Sequence, residues 1–182
     1  NRPDIFALEI KLPELLYCEV LEINERIDAH GNILQEINSQ EIKEDLQRYY
    51  NSGLRSIAIV LMHAYRYDFH EKVIKSIAEE IGFTQISISH EVAPLMKLVY
   101  RGDTTVVDAY LSPVLSRYIE QFSDPLQDVR VLLMQSNGGL ADASLFHGKD
   151  SLLSGPAGGV VGAVKTAEQA GFDKIIGFDM GG

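Results

Sequence analysis

Three features are scarce in this sequence, and each scarcity excludes a class of protein. The 182 residues contain one cysteine, Cys18, so no disulfide can form within the chain and a reducing, cytoplasmic location is expected. No apolar run approaches the roughly 18 residues that span a membrane. The 16 basic residues are outnumbered by 26 acidic residues, which gives a formal charge of −10. A chain this acidic is not expected to carry the basic face used for nucleic acids, so neither nucleic acid nor membrane is predicted as a partner.

The residues that are present have the composition of a globular protein, with 46% hydrophobic and 23% charged residues. Eleven of the 15 glycines lie in residues 138–182, where we therefore expect ligand-binding loops. The chain starts at Asn1 without a signal-peptide pattern and stops at Gly182, on a glycine-rich turn after a strand-like run. We therefore expect an internal fragment of a longer chain.

Hydrophobic periodicity predicts an α/β fold. Residues 15–37 have the pattern of an antiparallel hairpin with its turn at 28–32. Helices are predicted over 38–53, 68–82, a segment from about Thr104 that Ser112-Pro113 either kinks or divides, and 154–171; strands are predicted over 56–62, 86–89, 129–134 and 174–178. This alternation is typical of a mostly parallel sheet flanked by helices. The predicted division is an appended N-terminal segment, 1–37, and an incomplete α/β lobe, 38–182.

The histidines and acids between the predicted strands 56–62 and 86–89 have two possible interpretations. Asp68 and Glu71 have the spacing of a capping box at the start of a helix. A metal site formed by His63, His70 and Glu71 is the alternative. We favour the helix cap, because it accounts for both acids by local geometry.

The sharpest chemical signal is Asp179, which ends the last predicted strand and precedes Gly181 and Gly182. Glycines let backbone N–H groups approach phosphate oxygens without a Cβ clash. A carboxylate at that point can hold Mg²⁺ or orient an attacking water. A plain turn with a solvated acid is the alternative.

A second glycine cluster begins the last predicted helix at Ser154-Gly155-Pro156, and a helix start suits an anion. Gly158 and Gly162 are four residues apart and share one helix face, so close packing is the competing explanation. The glycine spacing gives no G-x-G-x-x-G and argues against a Rossmann dinucleotide site.

Two further polar positions are candidates for substrate or phosphate contacts. Ser136 and Asn137 bring a hydroxyl and an amide to a strand end, although a capped turn explains them equally well. No Gly-x-Ser-x-Gly motif surrounds Ser136, so a hydrolase nucleophile is not predicted there. Arg101 is suited to a carboxylate or phosphate, and a solvated arginine is the alternative.

Taken together and in order, these segments resemble the hydantoinase A/5-oxoprolinase family of ATP-dependent cyclic-amide hydrolases. The matching segments are residues 90–94, 101–102, 108–111, 133–140, 153–162 and 176–182. Arg101-Gly102 and the run from Asp108 favour the 5-oxoprolinase branch, whereas Asn137 is less typical of it.

The resemblance implies a nucleotide-binding lobe similar to that of actin, sugar kinases and chaperone ATPases, with ATP and Mg²⁺ as cofactors. It implies catalytic roles for Asp179, Ser136 and Asn137, with Asp179 also holding the metal. It implies substrate contacts at Arg101 and Asp108, and nucleotide contacts at Gly155, Gly158, Gly159, Gly181 and Gly182.

The implied reaction opens 5-oxoproline to glutamate by phosphorylation of the lactam carbonyl and hydrolysis, a step of glutathione metabolism. An N-methylhydantoinase-type subunit and a non-catalytic nucleotide switch on the same fold are the alternatives. A small-molecule lactam, a second hydrolase half or subunit of the hydantoinase B type, and a homo-oligomer are the expected partners. The fragment by itself is expected to be inactive.

Overall fold

The computed structural model describes residues 6, 8–9, 14–126 and 129–180. The strands and helices follow in the order β1 (Arg26–Ile27), β2 (Ile33–Gln35), α1 (Ser39–Asn51), β3 (Ser56–Ile59), α2 (Phe69–Ile81), β4 (Gln85–Ile88), α3 (Ser89–Val92), α4 (Leu98–Ser123), β5 (Leu132–Met134), β6 (Leu140–Asp142) and α5 (Ser154–Gln169). Single 3₁₀ turns lie at Asp124–Leu126, Ala143–Leu145 and Gly148–Asp150. The α/β class is confirmed, and no helix in the described ranges is long and apolar enough to cross a bilayer.

The sheet differs from the prediction of one mostly parallel sheet. The described strands form three separate pairs, and only β3 and β4 pair in parallel, with Ile57 opposite Ile86 and Ile59 opposite Ile88. β1 and β2 form the predicted antiparallel N-terminal piece. β5, expected to join the parallel sheet, instead pairs antiparallel with β6.

The predicted last strand, 174–178, is also wrong for the described part of the chain, where residues 173–180 form no ladder with another strand. A strand needs neighbouring backbone groups to satisfy its N–H and C=O groups. Ile176 and Phe178 are strongly exposed. The apolar residues of this segment predicted a buried strand, but no described residues pair with the segment or bury its side chains.

The core lies between the β3–β4 pair and helices α1 and α2. Its buried members are Ile42, Leu46, Ile59, Ile74, Ile77, Ala78, Phe83 and Ile88. The two helices have the predicted boundaries because their end signals are local: the Asn38 side chain accepts a hydrogen bond from the Glu41 N–H, and Gly82 ends α2 at φ +105°.

The hairpin turn before β2 is held by Asp28. Its carboxylate accepts hydrogen bonds from the Asn32 side-chain amide at 2.8 Å, the Asn32 backbone N–H at 2.9 Å and the His30 N–H at 2.8 Å. These bonds, those from Asn32 first, lower the pKa of Asp28. Gly31 has φ +91°, and a Cβ there would come within 2.5 Å of the Tyr67 ring, so the turn requires glycine.

Helix α4 runs through Pro113 without a break, so Ser112-Pro113 does not start a new helix. Proline lacks the N–H that would bond the carbonyl four residues earlier, at Ala109. The Ser56 hydroxyl of β3 donates to that carbonyl at 2.5 Å. A strand side chain therefore replaces the hydrogen bond that proline removes.

Candidate functional site

The turn between β5 and β6 lies against the segment that starts α5, and Ser136 joins the two. Its N–H and its hydroxyl both donate to the Asp150 carbonyl, at 2.8 and 2.7 Å. The same hydroxyl oxygen accepts from the Leu153 N–H at 3.1 Å. Because the hydroxyl proton is already used, Ser136 in this arrangement positions the start of α5 and has no proton to donate to a ligand.

Asn137, the next residue in the turn, keeps donors for a ligand. Its Oδ1 accepts from the Gly139 N–H at 2.7 Å. Its Nδ2 has no hydrogen-bond partner within the described residues, and the side chain is exposed. Gly138 has φ +82°, and a Cβ there would lie 3.2 Å from Val161 of α5, so the turn packs directly on the helix.

The start of α5 offers one backbone donor. The Ser154 N–H bonds to the Ser151 carbonyl, Pro156 has no N–H, and the Ala157 N–H bonds to the Leu153 carbonyl. The Gly155 N–H remains without a partner among the described groups. A helix start favours an anion at such a donor.

Asp179 lies beside α5. A Cβ built on Gly159 would lie 3.8 Å from the Asp179 Oδ2 atom, whereas that of Gly158 would make an ordinary contact with Met134 at 3.6 Å. A Cβ at Gly155 or Gly162 would meet open space. Packing therefore does not require glycine at these positions, and α5 presents bare backbone toward the acid.

The Asp179 carboxylate is exposed and, within the described part of the chain, carries no hydrogen bond or ion pair. It is a hard oxygen donor suited to Mg²⁺, which proteins hold through one or two carboxylates together with substrate phosphates. The described residues contain no group of three or more histidines, cysteines and acids arranged for a metal ion, including around His63 and His70. Gly181 and Gly182 lie outside the described residues.

Arg101 is far from solvent, with an exposure of 0%. Burial lowers the pKa of its guanidinium, and the neighbouring Glu71 carboxylate opposes that shift. A guanidinium has five N–H donors, and here all five are used. The acceptors are the Ser89 hydroxyl and the carbonyl oxygens of Leu61, Met62, Leu95 and Met96. No donor remains for a substrate, so this geometry does not support the predicted substrate contact.

Glu71 does not form the predicted capping box, because Asp68 makes no side-chain cap hydrogen bond and the Glu71 side chain turns inward. It is fully buried and accepts from the Leu61 N–H at 2.9 Å and the Ser89 hydroxyl at 2.5 Å. Its other oxygen contacts the His90 N–H at 3.2 Å and the His90 Nδ1 atom at 2.7 Å. Glu71 thus joins α2 to the ends of β3 and β4, a role that its sequence spacing does not reveal.

Asp108 is likewise buried, with 1% exposure. Its carboxylate accepts from the Ser87 hydroxyl at 2.7 Å, the Lys149 N–H at 3.2 Å and the Ser112 hydroxyl at 3.3 Å. A lactam cannot reach it in this arrangement. The predicted substrate contact at Asp108 is therefore not supported either.

Comparison with models of protein families shows to which family the chain belongs. The hydantoinase/oxoprolinase N-terminal region model matches residues 1–82, and the hydantoinase/oxoprolinase model matches residues 101–182. The chain belongs to the hydantoinase/oxoprolinase family. The resemblance identified from the sequence is thereby confirmed.

Members of this family are similar in sequence to this chain over its whole length. 5-Oxoprolinase of Dictyostelium discoideum is 38% identical over 224 residues, and 5-oxoprolinase 1 of Arabidopsis thaliana is 40% identical over 205 residues. Both comparisons cover 100% of this chain but only 18% and 16% of the relatives. Among solved structures, the ATP-dependent caprolactamase from Pseudomonas jessenii superposes with a TM-score of 0.76 at 28% identity, covering 88% of this chain and 24% of that one.

The structure brings together part of the residue set that the family resemblance selected. Ser136, Asn137, Gly158, Gly159 and Asp179 lie around the start of α5 and the β5–β6 turn. Arg101 and Asp108 lie in the interior instead.

Proposed function

We propose that this chain supplies part of the nucleotide-binding lobe of an ATP-dependent cyclic-amide hydrolase whose substrate is 5-oxoproline. The whole-chain similarity to 5-oxoprolinases supports the substrate class. One observation carries the assignment of the site: the Asp179 carboxylate is exposed, has no partner among the described residues, and faces the side-chain-free backbone of α5 at Gly159. The lobe corresponds in this proposal to one half of an actin-like ATPase fold.

The chemistry explains why ATP is needed. An unstrained five-membered lactam resists attack by water at neutral pH. Transfer of the γ-phosphoryl group forms a bond between phosphorus and the lactam carbonyl oxygen, and breaks the bond between that phosphorus and the oxygen of ADP. Water then adds to the activated carbon, the ring C–N bond breaks with the nitrogen taking up a proton, and a second water releases phosphate to leave glutamate.

The residues around α5 divide this work. Asp179 would hold Mg²⁺, which supplies positive charge at the transferred phosphoryl group. The Gly155 N–H and the Asn137 Nδ2, neither of which has a partner among the described residues, donate to phosphate oxygens, together with backbone groups of Gly181 and Gly182. Ser136 fixes the distance between the β5–β6 turn and α5.

The proposal extends to the complete protein, since this chain spans less than a fifth of the 5-oxoprolinases compared with it. A second hydrolase half or subunit of the hydantoinase B type completes the enzyme, which is homo-oligomeric and cytoplasmic. Cys18, the only cysteine, is a free thiol, in keeping with a reducing compartment.

A hydantoin substrate is the second candidate, because both matching family models describe hydantoinases together with oxoprolinases. A panel of substrates separates the two. ATP hydrolysis by the complete protein is measured with 5-oxoproline, with hydantoins and with no added ring. Stimulation by 5-oxoproline supports the proposal, stimulation by hydantoins alone changes the substrate, and hydrolysis that no ring stimulates indicates a nucleotide switch.

A further inference from the structure

We propose that Asp108 is a positioning residue, which fixes the phosphate-binding side of α5 through a chain of hydrogen bonds and does not touch the substrate. The inference rests on the proposed function for its effect on catalysis. Its structural part stands on contacts alone.

The first step is the environment of the carboxylate. Asp108 lies on the inner face of α4, and its Oδ2 atom accepts from Ser87 of β4. Its Oδ1 atom accepts from both Ser112 and the Lys149 N–H. No cation forms an ion pair with it among the described residues, so three neutral donors satisfy a buried acid. The buried Asp108 carboxylate therefore stabilises the positions of its three donors, because a donor left unpaired in the interior is unfavourable.

The second step is the 3₁₀ turn at Gly148–Asp150, which packs against α4 without intervening space. A Cβ at Gly148 would lie 2.7 Å from the Ser112 backbone nitrogen and 2.9 Å from the Leu111 Cβ atom. The Gly148 N–H donates to the Ser112 hydroxyl at 3.1 Å. Asp108 and Ser112 therefore set where this turn lies, since each bonds one of its first two N–H groups.

The third step leads from that turn to the candidate site. The Asp150 carbonyl accepts both bonds from Ser136, and the Ser136 hydroxyl accepts from Leu153, the residue before α5. An unbroken series of contacts thus runs from β4 through Asp108 to the glycine-rich helix. A displacement of the Gly148–Asp150 turn would move the helix start away from the phosphate.

The geometry makes a specific claim about charge. Asparagine in place of Asp108 keeps an Oδ1 acceptor for Ser112 and the Lys149 N–H. Its new amide can donate to the Ser87 hydroxyl oxygen, which already accepts from Gln85 Nε2 at 3.0 Å. If Asp108 is a positioning residue, Asp108→Asn therefore keeps activity and Asp108→Ala loses it. If instead its charge acts on the substrate, both variants lose activity.

The experiment compares Asp108→Asn, Asp108→Ala and Ser112→Ala in the complete protein, with Thr104→Ala as the control on the same helix. The Thr104 hydroxyl donates within α4, to the Tyr100 carbonyl, and forms no hydrogen bond with the turn among the described residues. The readouts are kcat and KM for the lactam and for ATP, and hydrogen exchange at the Lys149 and Leu153 amides.

We expect Asp108→Ala to lower kcat about 10- to 100-fold, because small misplacements of binding groups have effects of that size, while KM for the lactam changes less than about twofold. Asp108→Asn retains kcat within about threefold of the wild type by the same argument. Exchange at Lys149 and Leu153 accelerates in Asp108→Ala and, to a smaller degree, in Ser112→Ala. Ser112→Ala keeps the inference testable if Asp108→Ala does not fold.

Three results would overturn the inference: equal damage by Asn and Ala, a rise in KM confined to the lactam, or unchanged amide exchange in both Asp108→Ala and Ser112→Ala. A wild-type protein without lactam-stimulated ATP hydrolysis would refute the proposed function instead. In that case the exchange data alone decide whether Asp108 holds the turn.

Discussion

Replacing Arg101 with alanine should destabilise the protein locally and strongly. The guanidinium is fully buried and donates to five acceptors, and it lies near the buried Glu71 carboxylate through their shared partner Ser89. Glu71 has its direct contact with His90, so Arg101→Ala weakens a charge interaction without breaking a direct ion pair. The Leu61 carbonyl keeps a hydrogen bond from the Ala64 N–H, whereas the carbonyls of Met62, Leu95 and Met96 lose the donor that Arg101 supplies. Each of these three that stays dry adds a loss of about 1–3 kcal/mol. We therefore expect a loss of at least about 3 kcal/mol of local stability, mostly from the unpaired carbonyls.

Native-state hydrogen exchange of the β3 and β4 amides measures this loss in the complete protein, where global unfolding need not be two-state. Arg117→Ala is the matched control, because Arg117 lies on the same helix, is exposed and bonds only the Pro113 carbonyl of its own helix. A change below about 1 kcal/mol in Arg101→Ala, well under that expected for three buried carbonyls without donors, would refute the structural role. If KM for the lactam rose at the same time, the substrate contact expected from the sequence would be supported instead.

Two further predictions concern the scaffold. Ser56→Ala should lower the free energy of unfolding by about 1–3 kcal/mol, because the Ala109 carbonyl, which Pro113 leaves without a helical donor, also loses the Ser56 hydroxyl. Pro113→Ala restores the helical N–H, so Ser56→Ala should cost less in that background. Equal losses in the two backgrounds of this double-mutant cycle would contradict the account. Hydrogen bonds from Asn32 lower the pKa of Asp28 below its ordinary 3.8, so they stabilise the hairpin turn above pH 3.8, and that stabilisation is lost as pH falls through the lowered value. An NMR titration of the turn amides should have its midpoint below 3.8, and a midpoint at or above 3.8 would show that the turn does not hold the carboxylate.

The helices were predictable because their signals are local. Asn38 caps α1 and Gly82 ends α2 through contacts within a few residues, so spacing alone locates both ends. The same reasoning failed for Glu71. Its spacing from Asp68 fits a capping box, and only the arrangement of β3 and β4 around it reveals a buried acceptor instead.

The sheet was less predictable, because pairing depends on partners distant in sequence. The Asn137-Gly138 dipeptide between two short apolar runs is a known hairpin signal, and β5 and β6 do form a hairpin there, although of these two residues only Gly138 has a positive φ. The sequence interpretation treated it as the flexible end of a parallel strand. For the candidate site, Asp179 and the glycines of α5 follow from residue type, whereas the interior roles of Arg101 and Asp108 do not, since both types serve binding and scaffold equally well.

The central claim is tested most directly by Asp179→Asn in the complete protein, assayed for 5-oxoproline-stimulated ATP hydrolysis. Asp173→Asn is the matched control, because that acid is also exposed and lies six residues earlier in the same segment. The account predicts a fall in kcat of at least about 100-fold for Asp179→Asn, the size seen when one electrostatic contact to a transition state is removed, and no change in the control. Stimulated hydrolysis at the wild-type rate in Asp179→Asn would contradict the placement of the phosphate site beside α5.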